Sequence, residues 1–185
     1  MSISFITSNR HKYEEVKSIL SVFGIDVEWV NEKYDEPEGD VDVVAGKSAR
    51  ILAEKLGRPV CVDDTGVYFE AYPGFPGPHP KFVFDHIGYE GIMRLLDGKP
   101  RKAYFRTAAG YCEPGKEPVV LEGFMNCSIA EQIFDEEKDV MPYERIFIPD
   151  GDDRPLSSLS RDEKNSISHR HEAFRKLGEF LKNRQ

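Results

Sequence analysis

The order of apolar patterns along the chain is the feature that most constrains its fold. An apolar run at residues 3–6 predicts a strand, and apolar residues at helical spacing over 16–23 predict a helix. A second strand is predicted at 25–30 and a second helix at 43–56, with Gly57 as the residue that ends it. Strands that alternate with helices in this way are typical of an α/β protein.

The middle of the chain adds a buried strand and a segment without regular structure. Residues 59–62 predict a strand that ends at the acidic pair Asp63-Asp64, and another strand is predicted at 67–71 after a turn. Residues 73–80 are rich in proline and glycine, which predicts a shaped loop because proline lacks an amide donor.

The second half predicts a ribbon of two long strands. Helices are predicted at 81–87 and 90–96, followed by strands at 103–112 and 119–130 that a turn at 113–116 joins. Such a ribbon is antiparallel, so the sheet should contain mixed strand directions.

The last part of the chain predicts one more strand, at 146–148, and a terminal helix. Ser160 and Glu163 have the spacing of a capping box. The apolar face of the terminal helix is predicted to contain Ile167, Phe174, Leu177 and Phe180. Since no repeat and no linker interrupts the sequence, residues 1–185 are predicted to form a single domain.

Composition excludes several classes of protein. The formal net charge of -8 argues against a polynucleotide-binding surface, which needs clustered lysine and arginine. The polar start of the chain does not resemble a signal peptide, and no apolar stretch is long enough for a membrane span. We therefore expect a cytoplasmic protein, in which Cys61, Cys112 and Cys127 are inert thiols.

The first polar cluster lies where the first strand turns into the first helix. It runs from Thr7 through Ser8 and Asn9 to Lys12. Helix-start amides and a lysine can hold phosphate oxygens, and a small anionic ligand is compatible with an acidic protein when a few lysines and a metal reverse the local field. An ordinary helix cap explains the same residues.

The second cluster is the acidic pair. Burying adjacent carboxylates is costly without a cation, and Mg²⁺ prefers carboxylate oxygens and bridges to substrate phosphates. Glu36 with one of the two aspartates can then hold the metal, while Asp64 accepts a proton from an attacking water. A solvated Asp-Asp-Thr-Gly turn is the alternative interpretation.

The third cluster is Ser168-His169-Arg170, near the start of the terminal helix. Consecutive polar side chains at this place can reach the carbonyl oxygens of a nucleobase. A surface His-Arg pair explains the same sequence. A serine nucleophile is poorly supported, because adjacent helical residues point in different directions.

The clusters together resemble the inosine triphosphatase family, the Ham1-like pyrophosphatases of non-standard purine nucleoside triphosphates. The resemblance covers nearly the whole chain. The motifs that carry it are Thr-Ser-Asn-Arg-His-Lys, Val-Asp-Asp-Thr-Gly, Gly-Phe-Pro-Gly-Pro, Phe-Ile-Pro-Asp-Gly and Glu-Lys-Asn-x-x-Ser-His-Arg. It implies an elongated mixed α/β fold of two lobes with a central substrate cleft, usually a homodimer. It also implies Mg²⁺-dependent cleavage of ITP, dITP or XTP to the monophosphate and pyrophosphate, which clears these nucleotides from the pool.

The resemblance also implies roles for individual residues. Asp64 matches the catalytic aspartate and Glu36 the metal-binding glutamate, and Asp63 and Asp64 are the further candidate metal ligands. Lys12, Lys81, Lys164, His169 and Arg170 match substrate-binding positions. The further candidate contacts to the substrate are Thr7, Ser8, Asn9, Thr65, Tyr143 and Glu144. His169 and Arg170 would read the purine through a six-position carbonyl.

The segment 141–145 departs from the family pattern of Phe-Gly-Tyr/Trp-Asp-Pro. It reads Met-Pro-Tyr-Glu-Arg, so Tyr143 keeps an aromatic ring while Glu144 replaces the usual aspartate. Ser8 replaces a glycine, and Ser48 replaces a common lysine beside Lys47. Two further functions stay open on these grounds: a nucleotide-binding module that has lost turnover, and a hydrolase with altered base selectivity.

Overall fold

The computed structural model describes residues 1–184 and contains seven strands and five α-helices within them. The strands are Ser2–Ile6 (β1), Asp26–Val30 (β2), Val60–Phe69 (β3), Tyr72–Gly77 (β4), Lys102–Cys112 (β5), Val119–Ile129 (β6) and Phe147–Pro149 (β7). The helices are Arg10–Ser21 (α1), Val41–Leu56 (α2), Pro80–Leu95 (α3), Arg161–Ile167 (α4) and His169–Lys182 (α5). Short 3₁₀ turns lie at Pro142–Arg145 and Leu156–Ser158.

The strands form one mixed sheet, as the sequence predicted. Its order is β2-β1-β3-β5-β6-β7, and β4 pairs with β3. Strand β1 is parallel to both β2 and β3, whereas β3 and β4 are antiparallel, as are β6 and β7. The short connection between the neighbours β5 and β6 excludes a parallel crossover, so they form the predicted antiparallel ribbon.

The chain divides into two compact units. The first unit consists of residues Met1–Thr65, Thr107–Phe124 and the segment from Ser168 onward. The second consists of Gly66–Arg106 and Met125–Ile167.

The first unit has a hydrophobic cluster on each face of its part of the sheet. On one face, Phe5 and Cys61 pack with α1 and α5, and the Phe5 and Phe174 rings meet edge to face at 5.5 Å. On the other face, Val60 and Val62 pack against α2. Consecutive residues of β3 therefore face different helices, as the alternation of side chains along a strand requires.

The second unit has a core of its own, to which α3 contributes Ile92. Both predicted helical segments lie within α3. Gly88, between them, has a non-helical backbone and kinks the helix. The ring of Phe147 on β7 packs against Phe105 and Tyr143 in this core.

Two sequence predictions about strands are wrong. Strand β3 does not end at the acidic pair but continues through it to Phe69. Asp and Gly favour turns, which is why the sequence predicts a turn here, but the cationic neighbours of Asp63 offset the cost of burying its charge in a strand. The predicted loop 73–80 contains most of β4. In the described chain β4 pairs with β3 alone and is therefore an edge strand, on which prolines are tolerated.

Of the two predictions about the last helices, the capping box is right and the place of Ile167 is wrong. The capping box is confirmed, since the Ser160 amide donates to Glu163 at 2.8 Å and the Glu163 amide donates to the Ser160 hydroxyl at 3.3 Å. Ile167 does not belong to the apolar face of α5: it ends α4 and is 39% exposed. The break arises because Ser168 caps α5.

Candidate active site

The acidic pair of β3 presents its two carboxylates to different faces of the sheet. Asp63 shares the face of Cys61, which packs with α1 and α5, and Asp64 shares the face of Val62, which packs with α2. The two aspartates are adjacent in sequence but have different neighbours. Their chemistry differs for that reason.

Asp63 is the centre of a buried network of charges. Its side chain is only 1% exposed and accepts hydrogen bonds from Lys12 Nζ at 3.2 Å and from Arg170 Nε at 3.0 Å. Burial alone would raise the pKa of this carboxyl, but the charges of Lys12 and Arg170 outweigh burial and hold the pKa below its ordinary value. Asp63 therefore stays ionised and organises the two cations.

Arg170 is held from a second side by Glu15 on α1. Its Nη1 lies 2.8 Å from Glu15 Oε2, and the Ser168 hydroxyl donates to Glu15 Oε1 at 3.0 Å. Ser168 also caps α5 by accepting from the amides of Arg170 and His171. The first turn of α5 is thus fixed to α1 through side chains.

Lys12 owes its position to the cap of α1. The Asn9 side chain accepts from the amides of His11 and Lys12 at 2.9 and 3.3 Å, and the Asn9 amide donates to the Thr7 hydroxyl at 3.1 Å. The cap interpretation of this segment is confirmed. Ser8 is exposed beside the cap, and phosphate binding by these residues stays a prediction.

Asp64 lies in a different environment from Asp63. It is partly buried, and its Oδ1 accepts from the Thr65 amide at 2.9 Å. Burial and then the charge of Glu36 raise the pKa of Asp64 to about 6, and the opposing effects of the Thr65 amide and Lys12 are smaller. Tyr34 lies on the same loop as Glu36, and burial, then the charges of Glu36, Asp63 and Asp64, raise the pKa of its hydroxyl.

The carboxylates of Asp64 and Glu36 fit a hard divalent cation. In residues 1–184, no group of three or more His, Cys, Asp or Glu side chains is arranged as a complete metal site. Mg²⁺ does not need one, because it usually binds one or two carboxylates and keeps water and phosphate oxygens as its other ligands. The charge of Glu36 adds to burial in raising the pKa of Asp64, and a cation bound at this place would relieve that repulsion.

The geometry does not favour Asp63 as a third metal ligand, although the sequence predicted it. Both of its carboxylate oxygens already have cationic partners, Lys12 and Arg170, and its side chain has almost no exposed surface. A metal ligand must offer oxygen lone pairs to the ion. We therefore describe Asp63 as the residue that positions Lys12 and Arg170.

A chain of three hydrogen-bonding side chains begins next to Asp64. The hydroxyls of Thr65 and Thr107 are 2.7 Å apart, and the Thr107 hydroxyl is 2.6 Å from His169 Nδ1. Thr107 is fully buried. Burial, followed by the nearby charge of Arg170, lowers the pKa of His169 to about 3, so its imidazole is neutral.

The other predicted site residues belong to the second unit. Lys81 is exposed and pairs with Asp85 one helical turn away. Glu144 and Lys164 form an ion pair at 2.5 Å, with each side chain about one quarter exposed. Their predicted roles toward a substrate are not decided by these contacts.

Tyr143 is poorly placed for the stacking role that the sequence predicted. It is 7% exposed, its ring packs against Phe84 and Phe147, and its hydroxyl donates to the Pro80 carbonyl at 2.8 Å. Its contacts are those of a core residue. The physical reason is that this short 3₁₀ turn folds its aromatic ring inward rather than toward solvent.

Sequence reasoning missed Glu15 and Thr107. Glu15 is three residues after Lys12 on α1, which places both on one side of the helix, and this spacing is a usable signal. Thr107 is a fully buried hydroxyl on β5 that lies between Arg106 and the apolar residues 108–109. Neither signal identifies the distant partner, which depends on the packing of the sheet.

The fold and the site together define a class of protein. It is a mixed α/β protein with two adjacent aspartates on one strand. The first, Asp63, forms ion pairs with two cationic side chains, and the second, Asp64, forms with Glu36 a pair of carboxylates suited to bind a metal ion. The chain belongs to the Ham1 family, whose sequence profile matches residues 3–180. The family resemblance stated above is thereby confirmed.

The sequence relatives cover almost the whole chain. A protein of Methanopyrus kandleri named dITP/XTP pyrophosphatase is 45% identical over 99% of this chain and 97% of its own length. A protein of Methanosarcina mazei with the same name is 40% identical over 92% of each chain.

Solved structures share the fold. The Ham1 protein of Coxiella burnetii superimposes with a TM-score of 0.85 at 23% identity, over 99% of each chain. A nucleoside-triphosphatase, or dITP/XTP pyrophosphatase, of Mycobacterium abscessus gives a TM-score of 0.76 at 25% identity, over 98% of this chain and all of that one. At these identities the likeness extends to the fold alone.

Proposed function

We propose that this protein hydrolyses non-standard purine nucleoside triphosphates, dITP, ITP and XTP, to the monophosphate and pyrophosphate in the presence of Mg²⁺. Two of the relatives that cover the chain carry the name dITP/XTP pyrophosphatase. Such a reaction clears deaminated purines from the nucleotide pool. Residues 1–185 would form one domain for this reaction.

The observation that carries the proposal is the unequal environment of the two aspartates of β3. Asp63 is kept ionised by Lys12 and Arg170, whereas burial and Glu36 raise the pKa of Asp64 to about 6. A carboxylate with a pKa near neutrality is suited to accept a proton from water. Two adjacent acids with separated pKa values indicate which one serves as the base.

The charges of the site also account for the metal requirement. Asp63 and Glu15 balance Lys12 and Arg170, so Asp64 and Glu36 leave an excess of negative charge. A triphosphate would be repelled from these carboxylates without a cation. We propose Asp64 and Glu36 as the protein ligands of Mg²⁺, which when bound would offset the phosphate charge and make bound water more acidic.

The chain's own residues supply the remaining roles in this proposal. Asp64 accepts the proton of the attacking water, and Lys12, held beside Asp63, donates to phosphate oxygens and stabilises charge on the leaving pyrophosphate. Thr65 and the Thr7–Asn9 segment are further proposed contacts to the substrate. Lys81, Glu144 and Lys164 are retained as proposed substrate-binding residues on the sequence resemblance.

Base selection is assigned to the start of α5. His169 is neutral, and Arg170 stays protonated because Asp63 and Glu15 outweigh its burial. Both side chains can donate to the six-position carbonyl of a deaminated purine. Adenine carries an amino group at that position, so a donor would be left unmatched at a cost of about 1–3 kcal/mol.

The setting of the reaction is also part of the proposal. In residues 1–184, no helix is both long and apolar enough to cross a membrane. We propose a homodimer that acts on free nucleotides in the cytoplasm. The net charge of -8 supports free nucleotides over polynucleotides as substrates.

The test is the replacement of Asp64 by Asn, with product analysis. Wild-type protein with Mg²⁺ should convert ITP to IMP and pyrophosphate, and Asp64→Asn should lower kcat at least 100-fold, the scale of losing a general base. ITP binding by Asp64→Asn shows that the substrate site persists. Full turnover by this variant, or formation of IDP and phosphate by wild type, would overturn the proposal.

A further inference from the structure

The buried hydroxyl of Thr107 connects Thr65 to His169. Its Oγ1 lies 2.7 Å from Thr65 Oγ1 and 2.6 Å from His169 Nδ1, and the side chain is fully buried. All three residues belong to the first unit. A residue in this position affects the imidazole without belonging to the acidic cluster.

Proton counting sorts the arrangements of this chain into two groups, one for each neutral tautomer of His169. A threonine hydroxyl has one proton to donate, and a neutral imidazole has one N–H and one accepting nitrogen. Either Thr107 donates to His169 Nδ1 and accepts from Thr65, or the ring donates from Nδ1 to Thr107, which then donates to Thr65 or accepts from it with its second lone pair. The first arrangement places the ring proton on Nε2, and the second places it on Nδ1.

The two arrangements give His169 opposite chemistry at Nε2. With the proton on Nε2, the ring donates there, which suits the carbonyl oxygen of a deaminated purine. With the proton on Nδ1, Nε2 accepts, which suits the amino group of adenine. The tautomer of one buried histidine therefore affects which purine the site prefers.

We propose that Thr107 is a positioning residue that donates to His169 Nδ1 and so fixes the tautomer that carries its proton on Nε2. The choice of direction rests on the proposed function, because hydrolysis of carbonyl-bearing purines requires a donor. The neutral state of the ring is consistent with it, since a protonated imidazole would donate from both nitrogens and need no fixed tautomer.

Three variants separate this role from simple packing. Thr107→Val keeps the shape of the side chain and removes the hydroxyl, and Thr107→Ser keeps the hydroxyl. Ser4→Ala removes a different buried polar side chain of the first unit and serves as the control. Thermal unfolding of each variant shows whether it is folded.

The first measurement is the ¹⁵N chemical shift of the His169 ring nitrogens in the free protein, which distinguishes a protonated from an unprotonated nitrogen. Wild type and Thr107→Ser should show an unprotonated Nδ1 and a protonated Nε2. Thr107→Val should show both shifts moved toward an average of the two tautomers. A protonated Nδ1 in wild type would overturn the inference.

The second measurement is the ratio of kcat/KM for ITP to that for ATP. Thr107→Val should lower this ratio about ten-fold, the effect of one hydrogen bond of ordinary strength, while Thr107→Ser and Ser4→Ala should keep it. An unchanged ratio and unchanged ring shifts in Thr107→Val would contradict the proposal. If wild type turns over no nucleotide, the ring shifts alone decide about the tautomer, and only the proposed function has failed.

Discussion

At the scale of single residues, the two aspartates of β3 should respond oppositely to the same substitution. Asp64→Asn removes a carboxylate whose pKa is raised from 3.8 to about 6. A raised carboxyl pKa means that the folded state loses stability as pH rises from about 3.8 through about 6. The variant should therefore be more stable than wild type at pH 7 by about 1–3 kcal/mol in metal-free buffer, measured by urea unfolding.

Asp63→Asn should have the reverse effect on the free energy of unfolding. It leaves the buried guanidinium of Arg170 and the ammonium of Lys12 without their shared counter-charge. Removing one partner of a buried ion pair costs about 3–5 kcal/mol. Urea unfolding at pH 7 should show this loss, and two variants of equal stability would contradict the division of roles between Asp63 and Asp64.

The titration of Asp64 offers a test of metal binding that does not depend on turnover. In metal-free protein, the ¹³C shift of its carboxyl should titrate with a pKa near 6. Mg²⁺ stabilises the ionised form, so its addition should lower this pKa, and chelation should restore it. A titration that Mg²⁺ leaves unchanged would remove Asp64 from the proposed metal ligands.

At the scale of elements, close packing of β6 against the first turn of α5 fixes the position of His169. A Cβ on Gly123 would lie 2.0 Å from the His169 carbonyl oxygen and 2.6 Å from the Ala173 amide nitrogen. Neither backbone atom can move without shifting the start of α5. Glycine is required here by close packing.

Gly123→Ala should therefore impair both stability and base reading. We expect a loss of about 1–3 kcal/mol in the free energy of unfolding and a raised KM for ITP, because overpacking displaces α5. Gly57→Ala is the comparison: Gly57 has a φ of 63° at the end of α2, and an added Cβ meets nothing within 4 Å. It should cost about 1 kcal/mol and leave KM unchanged. Equal KM values for both variants would refute the link between β6 packing and the site.

Elements with a strong local signal were predictable from the sequence. The periodicity of α2, its end at Gly57 and the Ser160–Glu163 capping box depend on neighbours in sequence, and all three are confirmed. The passage of β3 through Asp63 was not predictable in this way. It depends on Arg170, which is 107 residues away along the chain.

At the scale of the whole molecule, the family motifs selected candidate site residues but did not indicate which contacts hold each of them. The resemblance selected Lys12, Asp63, Asp64, His169 and Arg170, and all five lie in the first unit. The roles of Asp63 as an organiser and Thr107 as a neighbour of His169 required the fold, because the alternation of side chains along a strand decides which helix each residue faces.

The assembly also belongs to the scale of the whole molecule. If the protein is the proposed homodimer, light scattering after size-exclusion chromatography should give about twice the chain mass of 21.1 kDa. This result should be independent of Mg²⁺, because the proposed ligands Asp64 and Glu36 both belong to one chain. A mass equal to that of a single chain at micromolar concentration would contradict the homodimer.

The most direct test of the central claim is pyrophosphate release from ITP, XTP, dITP, GTP and ATP, each with and without Mg²⁺. We expect rapid release from ITP, XTP and dITP only when Mg²⁺ is present, with ATP largely unreacted because its six-position amino group does not match the donors of His169 and Arg170. Release from ATP at the rate of ITP, or release without any divalent cation, would contradict that claim.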